Sequence, residues 1–232
     1  MKIGIMQPYL FPYIGYFQLV DAVDKFVILD DVSFINRGWI NRNQILINGQ
    51  AQMITVPLIE ASQNKLISEI ELVSDLKWKE KLLKTITFNY KKSPYYNKVY
   101  ALVESIILFD EPNLSKYIHN SLMQICNYLD IDTLIETTSS KYQNGHLKSA
   151  EKILDIYLQE NTQTYINPFG GIELYDKQLF KKKGIQLHFI QTANIEYRQF
   201  KNEFIPRLSI IDVMMFNTPG AIKKMLNNYE LI

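Results

Sequence analysis

At 232 residues the chain is long enough for one domain to bury its own core without disulfide or metal staples. A formal net charge of +1 argues against a nucleic-acid or anionic-membrane binder, and the single cysteine, Cys126, excludes an internal disulfide. No apolar run approaches the ~20 residues of a bilayer span, and the short run after Met1 is broken at Pro8, so a cytoplasmic location is expected.

The opening residues organise the rest. Lys2–Met6 has the length and apolarity of a buried strand. Gln7–Ile14 is a loop stiffened by Pro8 and Pro12, each of which fixes its own φ and restricts its predecessor. Gly15–Val23 is predicted helical, with Tyr16, Leu19, Val20 and Val23 at three- and four-residue spacing. Lys25–Leu29 is a second apolar run, ending on Asp30 and Asp31. Strand, helix and strand in so short a span predict a βαβ unit with parallel strands. The Gln7–Tyr13 loop and the two acids would then emerge at one sheet edge, in the crevice where open α/β sheets bind ligands. The N-terminus of the helix at Gly15 would face the same crevice, a place suited to a phosphate or carboxylate.

Further along, Ser33–Asn43 offers Asn36, Arg37, Trp39, Asn41, Arg42 and Asn43 as ligand-gripping side chains. Asn48-Gly49 between Gln44–Ile47 and Gln50–Pro57 predicts a type I′ hairpin, with Ile67–Val73 as a third antiparallel strand. Three helices follow: Lys77–Tyr90 behind Ser74 or Asp75, Asn97–Phe109, and a third from Pro112-Asn113 to about Leu129. Three helices without strands between them suggest a helical insert or lid over about residues 74–130 of a single domain spanning 1–232. Alternation then resumes. Thr133–Thr137, Thr162–Asn167 and Ile185–Ile190 are predicted strands, and Leu147–Glu160 and Ile172–Lys183 the intervening helices. Ser209 caps Ile210–Phe216, and Thr218-Pro219 starts a last helix reaching Tyr229. The expected fold is therefore α/β: a Rossmann-like, doubly wound, mainly parallel sheet with an inserted β-hairpin and a helical subdomain. The turn after the first strand also resembles nucleotidylyltransferase-type folds in its backbone, although it lacks their phosphate-holding histidines.

Candidate chemistry follows from position. Asp30 and Asp31 at a strand end suit a general base or Mg²⁺, since hard cations prefer carboxylate oxygens; the alternative is that one of them ties down the following loop. Gln7 sits at the mouth of the crevice, with Tyr9 and Tyr13 beside it. Asn167-Pro-Phe-Gly-Gly precedes a predicted helix, and through Gly170 and Gly171 its backbone can approach a ligand closely, with Tyr175 near; a plain tight turn explains it equally. Of three histidines only His146, in a loop, is a candidate acid or base; His119 and His188 lie in apolar elements, and no metal-ligand spacing occurs. No serine sits in a nucleophile elbow, so direct attack by a bound amine on an activated carbonyl fits better than an acyl-enzyme.

The segments QPYLFPYIGYF, FVILDDVSF and RGWINRN resemble the opening signature of WbqC-like proteins, and YKKSPYY, TYINPFGG, GIQLHF and FIPRLSIIDVMMFN fit as well. The resemblance implies an aminoacyl (glycyl-type) transferase acting on a nucleotide-linked amino sugar for bacterial O-antigen or other surface polysaccharide. The partner is then a phosphate-bearing small molecule and no nucleic acid. A nucleotidylyltransferase-like or adenylate-forming enzyme, and a non-catalytic sugar- or nucleotide-binding protein, are the alternatives. Where the family usually has histidine before Gln-Pro and tryptophan after the second proline, this chain has Met6 and Tyr13.

Overall fold

The computed structural model describes residues 1–201 and 203–232. Five strands form its parallel sheet: β1 (Lys2–Met6), β2 (Lys25–Ile28), β7 (Leu134–Glu136), β8 (Thr164–Pro168) and β9 (Gln186–Thr192). A sixth, β10 (Tyr229–Leu231), joins antiparallel to β9, giving the order β10-β9-β8-β1-β2-β7. Counted along the chain, the parallel strands run 5-4-1-2-3 across the sheet. This is the doubly wound order, with its switch point between β1 and β8.

The pleat explains the three layers. Ile3, Ile5, Val27, Tyr165, Leu187 and Phe189 point to one face, where α5 (Ser149–Gln159) and α6 (Lys177–Lys182) bring Ile153, Ile156, Tyr157 and Phe180 onto them. Phe26, Ile28, Ile166 and Ile190 point the other way. There they meet α1 (Ile14–Asp21), α7 (Ile210–Phe216) and α8 (Pro219–Leu226). The helices α2 (Leu76–Tyr90), α3 (Tyr96–Leu108) and α4 (Leu114–Leu129) bury their apolar faces in that same cluster. Local signals set many boundaries. Asp75, Asn113, Asp176, Ser209 and Thr218 each accept a backbone N–H from the first turn of the helix they precede. No helix among the described residues is long and apolar enough to cross a membrane.

The hairpin forms as predicted, β3 (Arg42–Ile47) against β4 (Gln50–Thr55), with Asn48 and Gly49 at φ 51° and 77°. Three expectations need correction. Ile67–Val73 does not extend the hairpin: Ile67–Glu69 is a 3-10 turn, and β6 (Glu71–Leu72) pairs instead with β5 (Leu58–Ile59). The helix predicted over Ile172–Lys183 is limited to α6, because Asp176 caps a fresh start after a 3-10 turn at Phe169–Gly171. The last helix stops at Leu226, since the chain gains ladder bonds to β9 from Tyr229 onward.

A buried polar knot ties α7 to α2 and to the segment that precedes α7. Asp212, fully buried, accepts from Tyr90 Oη at 2.8 Å, Tyr197 Oη at 2.7 Å and Gln199 Nε2 at 2.7 Å. Burial raises its carboxyl above the ordinary value of 3.8, and the three donors only partly counter this. A folded-state value above the unfolded one favours the folded protonated form. The contribution is therefore complete below 3.8 and is lost as pH rises through the raised value. Melts of wild type and Asp212→Asn should thus diverge, wild type losing relative stability from about pH 4 upward. A wild-type advantage growing with pH would contradict it.

Candidate functional site

The parallel pairing of β1 with β2, Met6 opposite Ile28, brings Gln7–Tyr13 and Asp30–Asp31 to the same edge. The proline-rich loop there is held from behind. Leu10 N donates to Ile40 O at 3.0 Å, while Asn43 Nδ2 donates to Leu10 O and Phe11 O at 3.1 and 3.0 Å. Ser209 Oγ donates to Phe11 O, Ile210 N to Pro12 O, and Tyr16 Oη to Gln7 O. These bonds hold Phe11 at φ 41°, a left-handed conformation that costs a non-glycine residue roughly 1 kcal/mol or more. With its carbonyls so occupied, the loop leaves Gln7 half-buried and Tyr13 exposed. Tyr9 is half-buried beside Tyr16, and burial, then its neighbour Tyr13, raises its hydroxyl above 10. The Tyr13 ring lies across the start of α1, over Gly15, where a Cβ would collide with it.

The two acids behave differently from a paired catalytic dyad. Asp30 is 3% exposed and accepts from Thr138 Oγ1 at 2.7 Å, Ser139 N at 3.1 Å and Ser115 Oγ at 2.7 Å. It therefore joins β2 to the loop after β7 and to the first turn of α4. Asp31 accepts from Ser139 Oγ and forms an ion pair with Lys152 of α5, Nζ to Oδ2 2.6 Å, both side chains nearly buried. Neither carboxylate has an oxygen free of a protein donor. Among the described residues no three His, Cys, Asp or Glu side chains gather as a metal site.

The Ser33–Asn43 segment divides. Asn36, Arg37 and Trp39 are exposed on the loop beyond β2, with Arg37 at φ 62°. Arg42 turns inward: its guanidinium donates to Gly38 O at 2.9 Å and to Arg37 O, closing the loop on itself. Asn41 Nδ2 donates to Val56 O at 2.8 Å, and so belongs to the hairpin. His146 is exposed just before α5, two residues beyond Asn144, whose carbonyl accepts from Lys152 Nζ at 3.4 Å.

Across the switch point, Asn167 is the penultimate residue of β8. It is 4% exposed, and its Oδ1 accepts from Tyr165 Oη at 3.0 Å. That bond fixes the amide so that Nδ2 points at Gly171, where a Cβ would overlap it. Among the described residues Nδ2 has no hydrogen-bond acceptor. The ring of Tyr175 borders the same spot, edge-on to Tyr165. Because β1 and β8 are parallel neighbours, the Gln7–Tyr13 loop and the Asn167–Gly171 segment leave the sheet at the same end.

Sequence reasoning missed the residues that hold the acids: Ser115, Thr138, Ser139 and Lys152. Only Lys152 carried a signal. It lies a helical turn before Ile156 and beside Ile153 on the apolar face of α5, where an unpaired lysine would be costly.

The model of the WbqC-like protein family matches residues 7–224. An uncharacterized protein of Mycobacterium tuberculosis is 28% identical over 219 residues, covering 93% of each chain. No solved structure matches the chain.

Proposed function

The chain belongs to the WbqC-like protein family, and on that premise we propose that it is a transferase acting on a nucleotide-linked amino sugar. It hands the sugar's amine an aminoacyl-type group, in the assembly of a bacterial surface polysaccharide. The observation that carries this reading is the strand order, whose switch point between β1 and β8 is where doubly wound sheets take nucleotides. The nucleotide lies between the Gln7–Tyr13 loop and Asn167–Gly171. Tyr9, Tyr13 and Tyr175 supply flat apolar surface to the base or sugar, and Asn167 Nδ2 donates to an acceptor oxygen. Arg37 on the outer loop is the cation for phosphate, because Arg42 is spent on its own loop.

In the reaction the amine nitrogen attacks the acyl carbon, the leaving group departs with its electron pair, and the nitrogen loses one proton. His146 is the acceptor of that proton, since both acids are engaged by protein donors. Holding amine and carbonyl together supplies most of the acceleration.

Calorimetric titration with a nucleoside diphosphate and with the corresponding nucleotide–amino sugar tests the reading. Wild type is expected to bind both. Asn167→Asp, which keeps an acceptor for Tyr165 but replaces the donor by a negative oxygen, should bind at least about tenfold more weakly at similar stability. If no nucleotide binds wild type, the reading fails. The same strand order also supports nucleotidyl transfer, which Mg²⁺-dependent release of pyrophosphate would reveal. Binding of the nucleotide sugar without turnover of any acyl donor would make the protein a binding factor instead.

A further inference from the structure

The strand β4 is an open edge. Among the described residues its one strand partner is β3, and the two-residue turn at Asn48-Gly49 fixes which backbone groups that ladder uses. The pairs Ile47–Gln50, Ile45–Gln52 and Asn43–Ile54 exchange hydrogen bonds, so the N–H and C=O groups of Ala51, Met53 and Thr55 point away from β3. On β3 some of the corresponding outward groups are engaged. Leu46 N donates to Tyr90 Oη at 2.7 Å, and Gln44 O accepts from Ser209 N at 2.8 Å. On β4 the outward groups have no partner among the described residues.

This edge also lacks the usual defences. Natural edge strands are blunted by lysines, prolines, bulges or brevity. In a chain that is 21% charged, no charged side chain occurs between Arg42 and Glu60. Arg42 itself is bound to the carbonyls of Arg37 and Gly38. Gln50, Ala51, Gln52, Met53 and Thr55 are all exposed. By contrast, the outer strands of the main sheet, β7 and β10, are three residues long and each carries a glutamate.

We propose that β4 pairs antiparallel with β4 of a second copy of this chain, about a two-fold axis at Met53. The register follows from the free groups. Met53 faces Met53 of the second copy, and Ala51 faces Thr55 in both directions, so about six backbone hydrogen bonds close without distortion. Two copies brought together this way oppose no like charges, which is the argument for self-pairing over a charged partner. The two hairpins become one four-stranded sheet. Its inner strands are the two copies of β4, and its outer strands are the two copies of β3 that hold the Gln7–Tyr13 loops.

Sedimentation velocity on the full chain tests this. At about 100 µM, well above a micromolar dissociation constant, wild type is expected at twice its 27.2 kDa mass. Met53→Pro removes an outward N–H without touching the β3 ladder, and Met53→Lys sets two ammonium groups face to face on the axis. Both variants are expected to run as monomers with unchanged circular dichroism. A monomeric wild type, or a lysine variant that keeps the double mass, overturns the proposal. If the proline variant misfolds, the lysine variant decides alone.

Discussion

Asp30→Ala is expected to lose about 3–5 kcal/mol of folding stability and roughly 10 °C of melting midpoint in this chain. The carboxylate is nearly inaccessible and answers donors from three places, Thr138 Oγ1, Ser139 N and Ser115 Oγ. Truncation would strand those donors in a dry interior and part β2 from the loop after β7 and from α4. Serine and threonine hydroxyls can rotate to new partners, whereas the backbone N–H of Ser139 cannot, so the amide should carry the largest share of the loss. Asp30→Asn keeps the volume and one acceptor, and should cost about half as much. Urea unfolding with a shared slope gives both values. A loss under about 1 kcal/mol for the alanine variant would mean the clamp is not what holds this edge.

The second large effect concerns Lys152→Met. It leaves the Asp31 carboxylate, 7% exposed, without its cation, with Ser139 Oγ its remaining donor. Breaking one side of a buried pair costs about 3–5 kcal/mol, because the other charge stays desolvated. Removing both charges costs far less. Asp31→Asn combined with Lys152→Met should recover most of the loss, so the double-mutant cycle should give a coupling energy of about 2 kcal/mol or more. Burial also shields the pair from salt, so the coupling should persist in about 0.5 M NaCl. Additive single effects would place the pair in solvent-like surroundings. These two experiments also bear on the proposed chemistry. Activity lost in proportion to stability marks the acids as supports, while a folded Asp31→Asn protein with no turnover would return the proton-accepting role from His146 to Asp31.

Much of the frame was legible because its causes are local. The β1–loop–α1–β2 unit could be read from two apolar runs, two prolines and a short helical period. The hairpin followed from Asn48-Gly49, whose turn admits left-handed backbone. Asn113, Ser209 and Thr218-Pro219 announced their helices by cap chemistry. Where local signals compete, the pattern alone does not show which of them wins. The helical pattern of Ile172–Lys183 hid the cap at Asp176. The last helix stops short of its sequence pattern, and nothing near Tyr229 says that β9 has an open side.

The candidate site was legible by address and less so by occupation. Gln7, Tyr9, Tyr13, Asn167, Gly170, Gly171 and Tyr175 belong to the segments that leave the sheet at the carboxyl ends of β1 and β8. Asn36, Arg37 and Trp39 remain exposed beyond β2. Arg42 and Asn41 had the right residue types but are bound to their own loop and hairpin, by partners whose direction no spacing rule conveys. The sequence alone determined most of the strands and helices, and that the Gln7–Tyr13 loop and the two acids leave the sheet at one edge, since these depend on neighbours a few residues apart. Only the tertiary structure decided what the acids do. Ser115, Ser139 and Lys152 lie 85, 109 and 121 residues from the carboxylates they meet, and only packing in three dimensions selects such partners.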